Sequence, residues 1–150
     1  MTRLVFNFLA ICGAALFTGA MLNIGLSFGA YWKSLAPSAF LDWFGQNSHL
    51  IGRTIPVFVM PTLAGLAVSI WLDWNAPGRT FWLLAATCFA AVLLITAAYH
   101  LPTNSAFVAR SIAPDQVATT LNTWLTLHAA RVALGFGAAV FGFLALQRAA

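Results

Sequence analysis

Apolar runs without a charged residue alternate with short polar segments along the chain. The four runs are Leu4–Trp32, Thr54–Leu72, Thr80–Tyr99 and Val132–Gln147. A helix rises about 1.5 Å per residue and needs about 20 apolar residues to cross a bilayer. The first three runs meet this length. The first is also longer than the apolar region of a cleaved signal peptide, which favours a retained anchor.

The fourth run is shorter than a bilayer requires, so its helix is expected to begin well before Arg131. Pro114 and Asp115 favour a start there, because proline suits the first turn of a helix and an acid suits its positive end. The pattern predicts an all-α membrane protein, an up-down bundle of four transmembrane helices that form a single domain, 1–150. The predicted spans are about 4–28, 53–73, 80–101 and 115–147.

Polar and small residues share one face of the fourth span. This face comprises Trp124, His128, Arg131, Gly135, Ala138 and Gly142. They follow one another at intervals of three and four residues, which is the spacing of one helical face. Small residues on a membrane helix indicate close packing against another helix rather than lipid. The polar part of the face is therefore predicted to point into the bundle.

Two connections carry aromatic residues that suit a membrane interface. The segment 33–52, between spans one and two, is long enough for a short interfacial helix with its apolar side chains among the lipid headgroups. Those side chains are Phe40, Leu41, Trp43 and Phe44. The turn "DWNAPGRT" joins spans two and three and predicts Trp74 and Trp82 at the interface.

Composition excludes two broad classes of protein. The chain is 61% hydrophobic and 7% charged, whereas soluble domains carry about 25% charged residues. The net charge of +4 comes from seven scattered Lys and Arg against three Asp, which is unlike the clustered basic face of a nucleic-acid-binding protein. Cys12 and Cys88 lie inside apolar runs without metal-type spacing, and we interpret them as small core residues.

The polar residues concentrate at one end of the predicted bundle. Here the end of span one, the start of span two, the end of span three and the start of span four meet. The residues concerned are Asn23, Trp32, His49, Arg53, His100, Asn104, Trp124, His128 and Arg131. Singly, such an arginine can be an interfacial anchor and such a tryptophan part of an aromatic belt. Together they favour a functional site, because ionisable groups inside a membrane bundle are costly.

Four stretches of the chain carry a family resemblance: "GAMLNIGLSFGAYW", "GRTIPVFVMPTLAGL", "HLPTNSAF" and "WLTLHAAR". Together they resemble the anthrone oxygenase-like family of small four-helix membrane proteins. The resemblance covers most of the chain, and its most specific part is the Pro-x-Asn after span three with the Trp, His and Arg that open span four. It implies oxidation of a hydrophobic, anthrone-like aromatic by O2, with no cofactor expected.

Chemistry of this kind needs a base, a fixed cation and aromatic walls. Removing a proton from the acidic methylene of an anthrone gives an enolate, and histidine is the natural base near neutral pH. We assign His128 as the base, Arg131 and Arg53 as the clamp for the oxyanion, and Asn104 as a hydrogen-bond partner of the substrate. The expected substrate-binding residues are Trp124, Trp32, His100, Phe107 and Asn23, and His100 or His49 is a reserve base.

Two other functions stay open at this stage. His49, His100 and His128 come from separate helices and could bind copper, iron or haem in a redox protein, although no local His or Cys spacing supports a metal site. A non-enzymatic scaffold would instead place the polar end against lipid headgroups.

The partners and the orientation of the chain are also expectations. The expected partners are a hydrophobic small molecule, O2 and membrane lipid, with no nucleic acid, and a homo-oligomer is left open. Cytoplasmic N- and C-termini are favoured by Arg3, Arg79 and Arg148, since positively charged residues concentrate on the cytoplasmic side.

Overall fold

The computed structural model describes residues 1–149, and helices account for nearly all of them. The four helices are α1 (Thr2–Ser34), α2 (Pro37–Leu72), α3 (Arg79–Val108) and α4 (Pro114–Ala149). Each contains a stretch long and apolar enough to cross a membrane, and no strand occurs within the described range. The predicted all-α membrane fold with four spans is therefore confirmed. The chain is an integral membrane protein.

Prolines set the starts of two helices. Pro37 is the first residue of α2, and Ala36 before it is extended, as the residue before a proline prefers to be. Pro114 begins α4, with Asp115 in the first turn, where its charge faces the positive helix end. The predicted start of the fourth helix is confirmed.

Helix α1 lies at the centre of the packing, against both α2 and α4, and α4 packs in turn against α3. Small residues allow these contacts: a Cβ atom added to Gly65 would lie 2.3 Å from the backbone nitrogen of Ala10. On α4, a Cβ at Gly135 would lie 2.5 Å from the Thr18 hydroxyl. The small face of the fourth span thus packs inward as predicted. By contrast, α2 and α3 meet only sparsely.

The predicted interfacial helix is wrong as a separate element, because α2 runs unbroken from Pro37 to Leu72. Phe40, Leu41 and Phe44, expected among headgroups, are buried. Their aromatic rings meet protein instead: the Phe40 ring lies 4.9 Å from that of Phe107. The amphipathic pattern was real, but the apolar side covers the end of the bundle rather than lipid.

Two stretches of π-helix interrupt the helices near one end of the bundle. In α1 it spans Ile24–Phe28, where the Gly29 N–H donates to the Ile24 carbonyl. In α3 it spans Thr96–His100, where the Leu101 N–H donates to the Thr96 carbonyl. Such bonds reach back five residues instead of four, and single π-turns are frequent at functional sites. Nothing in the sequence pattern predicted them.

The opposite end of the bundle is fastened by a buried carboxylate. Asp73 is fully buried, and the Arg3 Nε lies 2.9 Å from its Oδ1. The Trp82 indole N–H donates to its other oxygen at 2.9 Å. Trp82 is therefore buried rather than interfacial, contrary to the prediction, because its N–H has a partner inside the protein. Trp74 is half exposed, as expected.

Candidate active site

A cavity of about 290 Å³ lies between the four helices, next to both π-helical stretches. Most of its wall is apolar, formed by aliphatic and aromatic side chains of all four helices. Its polar lining side chains are Ser48, Thr96, His100, Asn104, Trp32, Trp124, His128 and Arg131. Arg131 is the only charged residue among those that line it within residues 1–149. The cavity is thus an apolar chamber with one cationic end.

His128 has both ring nitrogens engaged. Its Nε2 lies 2.7 Å from the Met21 carbonyl oxygen, and its Nδ1 lies 2.7 Å from the Arg131 guanidinium. A carbonyl can only accept and a guanidinium can only donate. The Nε2 must therefore carry the proton and the Nδ1 must accept, which makes this a neutral imidazole with no free lone pair.

Glycine allows that imidazole to reach α1. A Cβ atom added to Gly25 would lie 3.1 Å from the His128 Cδ2, so a larger residue would crowd the ring. On its other side the imidazole stacks on Trp124, with ring centroids 4.9 Å apart and planes 11° apart. The ring is held between a helix backbone and an indole.

Arg131 is buried and is held from three sides. Besides His128, its guanidinium donates to the Thr96 hydroxyl at 2.9 Å and lies 5.8 Å from the centre of the Trp124 ring. Thr96 belongs to the π-helical stretch of α3. The Nε of Arg131 has no hydrogen-bond partner among the described residues. The guanidinium is therefore fixed in position, and its Nε–H is available to a ligand.

His100 is bonded at one nitrogen only. Its Nδ1 lies 3.4 Å from the Ile95 carbonyl, whereas its buried Nε2 has no partner within residues 1–149. The ring centre lies 4.8 Å from that of Trp124 and 6.2 Å from that of His128. If the Nδ1 carries the proton toward the carbonyl, the Nε2 lone pair is free. His100 is thus the imidazole with an available acceptor.

Asn104 and Trp32 complete the polar part of the cavity lining. The Asn104 Oδ1 accepts the Trp124 indole N–H at 2.8 Å, so the amide of Asn104 orients an aromatic wall. Trp32 is buried and its ring centre lies 5.6 Å from that of Trp124. Its own N–H has no partner in the described part of the chain.

The structure brings together six of the predicted site residues and separates four others. Around the cavity lie His128, Arg131, Asn104, Trp124, Trp32 and His100. Outside it lie Arg53, Asn23, Phe107 and His49.

The four outlying residues have different surroundings. Arg53 and His49 are exposed on α2, and Asn23 is exposed on α1, where it accepts a hydrogen bond from Ser27. Phe107 is buried, but it packs against Phe40 and Phe44 rather than against the cavity. Of the proposed three-histidine ligand set, only two members are neighbours. No group of three His, Cys, Asp or Glu side chains able to hold a metal ion occurs within the described residues.

Sequence reasoning missed two partners that define the geometry. The Met21 carbonyl belongs to the backbone, so no side-chain pattern could indicate it. The Thr96 hydroxyl could have been noticed, since it is a polar group inside the apolar run of span three. In a membrane helix such a hydroxyl usually bonds its own backbone, and Thr96 does this too, to Val92.

Comparison with known proteins identifies a family. The family model described as "Anthrone oxygenase" matches residues 47–141, which is more than half of the chain and includes α3 and most of α2 and α4. No curated protein and no solved structure shows significant similarity to the chain.

Proposed function

This chain belongs to the anthrone oxygenase family, and on that premise we propose that it oxidises a hydrophobic, anthrone-like aromatic with O2 inside the membrane. In such a reaction the methylene of the substrate loses two hydrogens. One oxygen atom becomes the new carbonyl and the other leaves as water. The protein has to take up a proton from the methylene and stabilise the enolate that results.

The cavity suits a ligand of this kind in size and polarity. Small-molecule sites are about 300–1,000 Å³ and mostly apolar with a few placed polar groups. At about 290 Å³ the cavity is at the small end of that range, which favours one compact, flat molecule. Its aromatic walls would hold the ring system, and its polar end would face the reacting carbon and oxygen.

The observation that carries the proposal is that a free imidazole nitrogen and a fixed guanidinium line the same cavity. We assign His100 as the base, because its Nε2 is unpartnered among residues 1–149, rather than His128, whose lone pair is taken by Arg131. Arg131 then stabilises the enolate and the reduced oxygen. A preorganised cation is worth most in an apolar cavity, where water does not screen it.

His128 acts in this scheme through Arg131 and not on the substrate. By accepting from the guanidinium and donating to the Met21 carbonyl, it links the cation to α1. The scheme needs no cofactor. The alternative function, a redox protein with a bound metal or haem, is tested by metal analysis and a visible absorption spectrum of the purified protein.

The test is turnover of an anthrone by the purified protein in lipid nanodiscs, followed by quinone absorbance and O2 uptake. His100→Ala should lower kcat by about 10²–10⁴-fold, the usual contribution of a general base. His49→Ala is the matched control, because that histidine is exposed outside the cavity. Full turnover by His100→Ala would remove the assigned base. No turnover by the wild type with any anthrone would refute the proposed activity.

The orientation belongs to the same proposal. With both termini in the cytoplasm, the polar end of the bundle lies on the extracytoplasmic side. Accessibility of single cysteines introduced near each end to a membrane-impermeant reagent measures this directly, and labelling from the cytoplasmic side at Gly45 would reverse the assignment.

A further inference from the structure

We propose that the ligand reaches this cavity sideways from the bilayer, through a slot between α2 and α3 whose mouth Gly52 keeps open. The inference rests on the proposed function only for the identity of the ligand. The route itself follows from the distribution of exposed residues around the cavity and from the packing of the helices.

The exposure of the cavity lining is one-sided. Every lining residue that α1 and α4 contribute is buried, including Met21, Trp124 and Arg131. The exposed lining residues are Gly52 and Pro56 on α2 and Leu101 on α3. The cavity is therefore closed toward α1 and α4 and open between α2 and α3, which pack less closely than the other three pairs of adjacent helices.

The slot follows the length of the helices. On α2 the lining positions from Ser48 to Val59 recur every three or four residues along one face, which corresponds to about 16 Å of helix. The neighbouring side chains Val57 and Met60 are about two-thirds exposed. Such exposed apolar residues on a membrane helix face lipid, so the deeper part of the slot opens to hydrocarbon. Arg53, exposed beside Gly52, marks the headgroup end.

Glycine at position 52 is not required by packing. A Cβ atom added there would meet no heavy atom of the described chain within 4 Å, whereas one at Gly65 would collide with the backbone of α1. Pro56 has no N–H, so the carbonyl of Gly52 loses its usual donor four residues later, and α2 has one backbone bond fewer beside the slot. A missing side chain with free space around it, at the rim of a cavity, leaves the passage open.

The competing route would run from the aqueous end of the bundle. A second cavity of about 310 Å³ lies there, lined by Lys33 and Ala118 among others, and Trp32 separates it from the first. Trp32 is buried and surrounded by aromatic rings, among them Phe44 at 5.6 Å. This tightly packed indole closes the end-on route.

The experiment measures how fast a ligand exchanges with the protein in nanodiscs. The probe is a hydroxyanthraquinone, which resembles the proposed product and is followed by its own absorbance in stopped-flow mixing. The variants are Gly52→Leu and Gly52→Phe. The matched control is Gly45→Phe, two turns earlier on α2. Gly45 is also exposed, also has no heavy atom within 4 Å of an added Cβ, and lies outside the cavity lining. Ala118→Phe tests the end-on route.

An obstructed passage slows association and dissociation by the same factor and leaves Kd unchanged. We expect both rate constants to fall by about tenfold or more in Gly52→Phe, less in Gly52→Leu and not in Gly45→Phe. Unchanged rates in Gly52→Phe would overturn the inference. So would a raised Kd with unchanged association, because the residue would then belong to the binding site. Slowing by Ala118→Phe alone would assign the end-on route instead.

The failure of the inference is distinguishable from that of the proposed function. A wild type that oxidises an anthrone and exchanges the quinone at the same rate as Gly52→Phe contradicts the slot alone. A wild type that neither oxidises the anthrone nor binds the quinone contradicts the proposed function and the slot together.

Discussion

Replacing His128 by alanine tests whether this imidazole holds the site together. The change removes the acceptor of the Arg131 guanidinium, the donor to the Met21 carbonyl and the ring that stacks on Trp124. In membrane proteins an interhelical hydrogen bond contributes about 0.6 kcal/mol on average and about 1.7 kcal/mol at most. A stacked aromatic pair adds about 0.5–1.5 kcal/mol.

The interhelical hydrogen bond, the hydrogen bond to Arg131 within α4 and the stacking contact together predict a loss of about 2–4 kcal/mol in the free energy of unfolding of His128→Ala. The measurement is unfolding by increasing SDS in a mild detergent, followed by tryptophan fluorescence. His49→Ala is the control and should remain within about 0.5 kcal/mol of the wild type, because its side chain is exposed. His128→Gln should recover part of the loss, since an amide can both donate and accept.

An equal stability of His128→Ala and the wild type would refute the reasoning, because the bond to the Met21 carbonyl would then not stabilise the packing of α4 against α1. The same variant separates the roles of the two imidazoles. If His128 only positions the guanidinium, its variants should retain part of their turnover, whereas His100→Ala should not. A complete loss in folded His128→Ala, together with full turnover by His100→Ala, would return the role of base to His128.

Two further variants address packing and the cation. Gly65→Ala should lower the free energy of unfolding by about 1–3 kcal/mol or more, because its Cβ would lie 2.3 Å from the Ala10 nitrogen. The control Gly19→Ala should leave it unchanged, because no described atom lies within 4 Å of its Cβ. Equal SDS unfolding of the two variants would contradict the close packing of α1 and α2. Thr96→Val keeps the shape of the side chain but removes the hydroxyl that accepts from Arg131. We expect kcat to fall by about tenfold to a hundredfold and the free energy of unfolding to fall by about 0.6–1.7 kcal/mol, the contribution of one interhelical hydrogen bond; an unchanged kcat would show that this bond does not position the guanidinium.

The number of spans and the inward face of the fourth helix could be predicted because both depend on local properties. The length of an apolar run sets the number of crossings, and the spacing of small residues sets which face packs. The predicted interfacial helix failed for a related reason: an amphipathic pattern shows that Phe40 and Phe44 need an apolar surface, but not whether protein or lipid supplies it. Here the surface is Phe107 and Trp32.

The predicted site residues that lie outside the cavity show a second limit of prediction from the sequence. Up-down topology gives the depth of a residue in the membrane but not the rotation of its helix. His49 and Arg53 are four residues apart and therefore share one face of α2. Ser48 and Gly52, each one position earlier, share the face that lines the cavity. A rotation of about 100° per residue was enough to move both predicted residues out of the site.

The geometry of the cavity depends on the number of residues in the π-helical stretch of α3. A π-turn corresponds to one residue inserted into an α-helix, so removing one residue from Thr96–His100 would restore regular winding. The helix beyond it would keep its orientation, because the π-turn absorbs the extra residue locally, whereas the side chains within Thr96–His100 would be spaced differently around the helix axis. A homologue one residue shorter at this place would therefore keep the histidine in its sequence but present it to Trp124 at a different angle. We therefore expect a one-residue gap in this turn to change the cavity even where every side chain that lines it is the same.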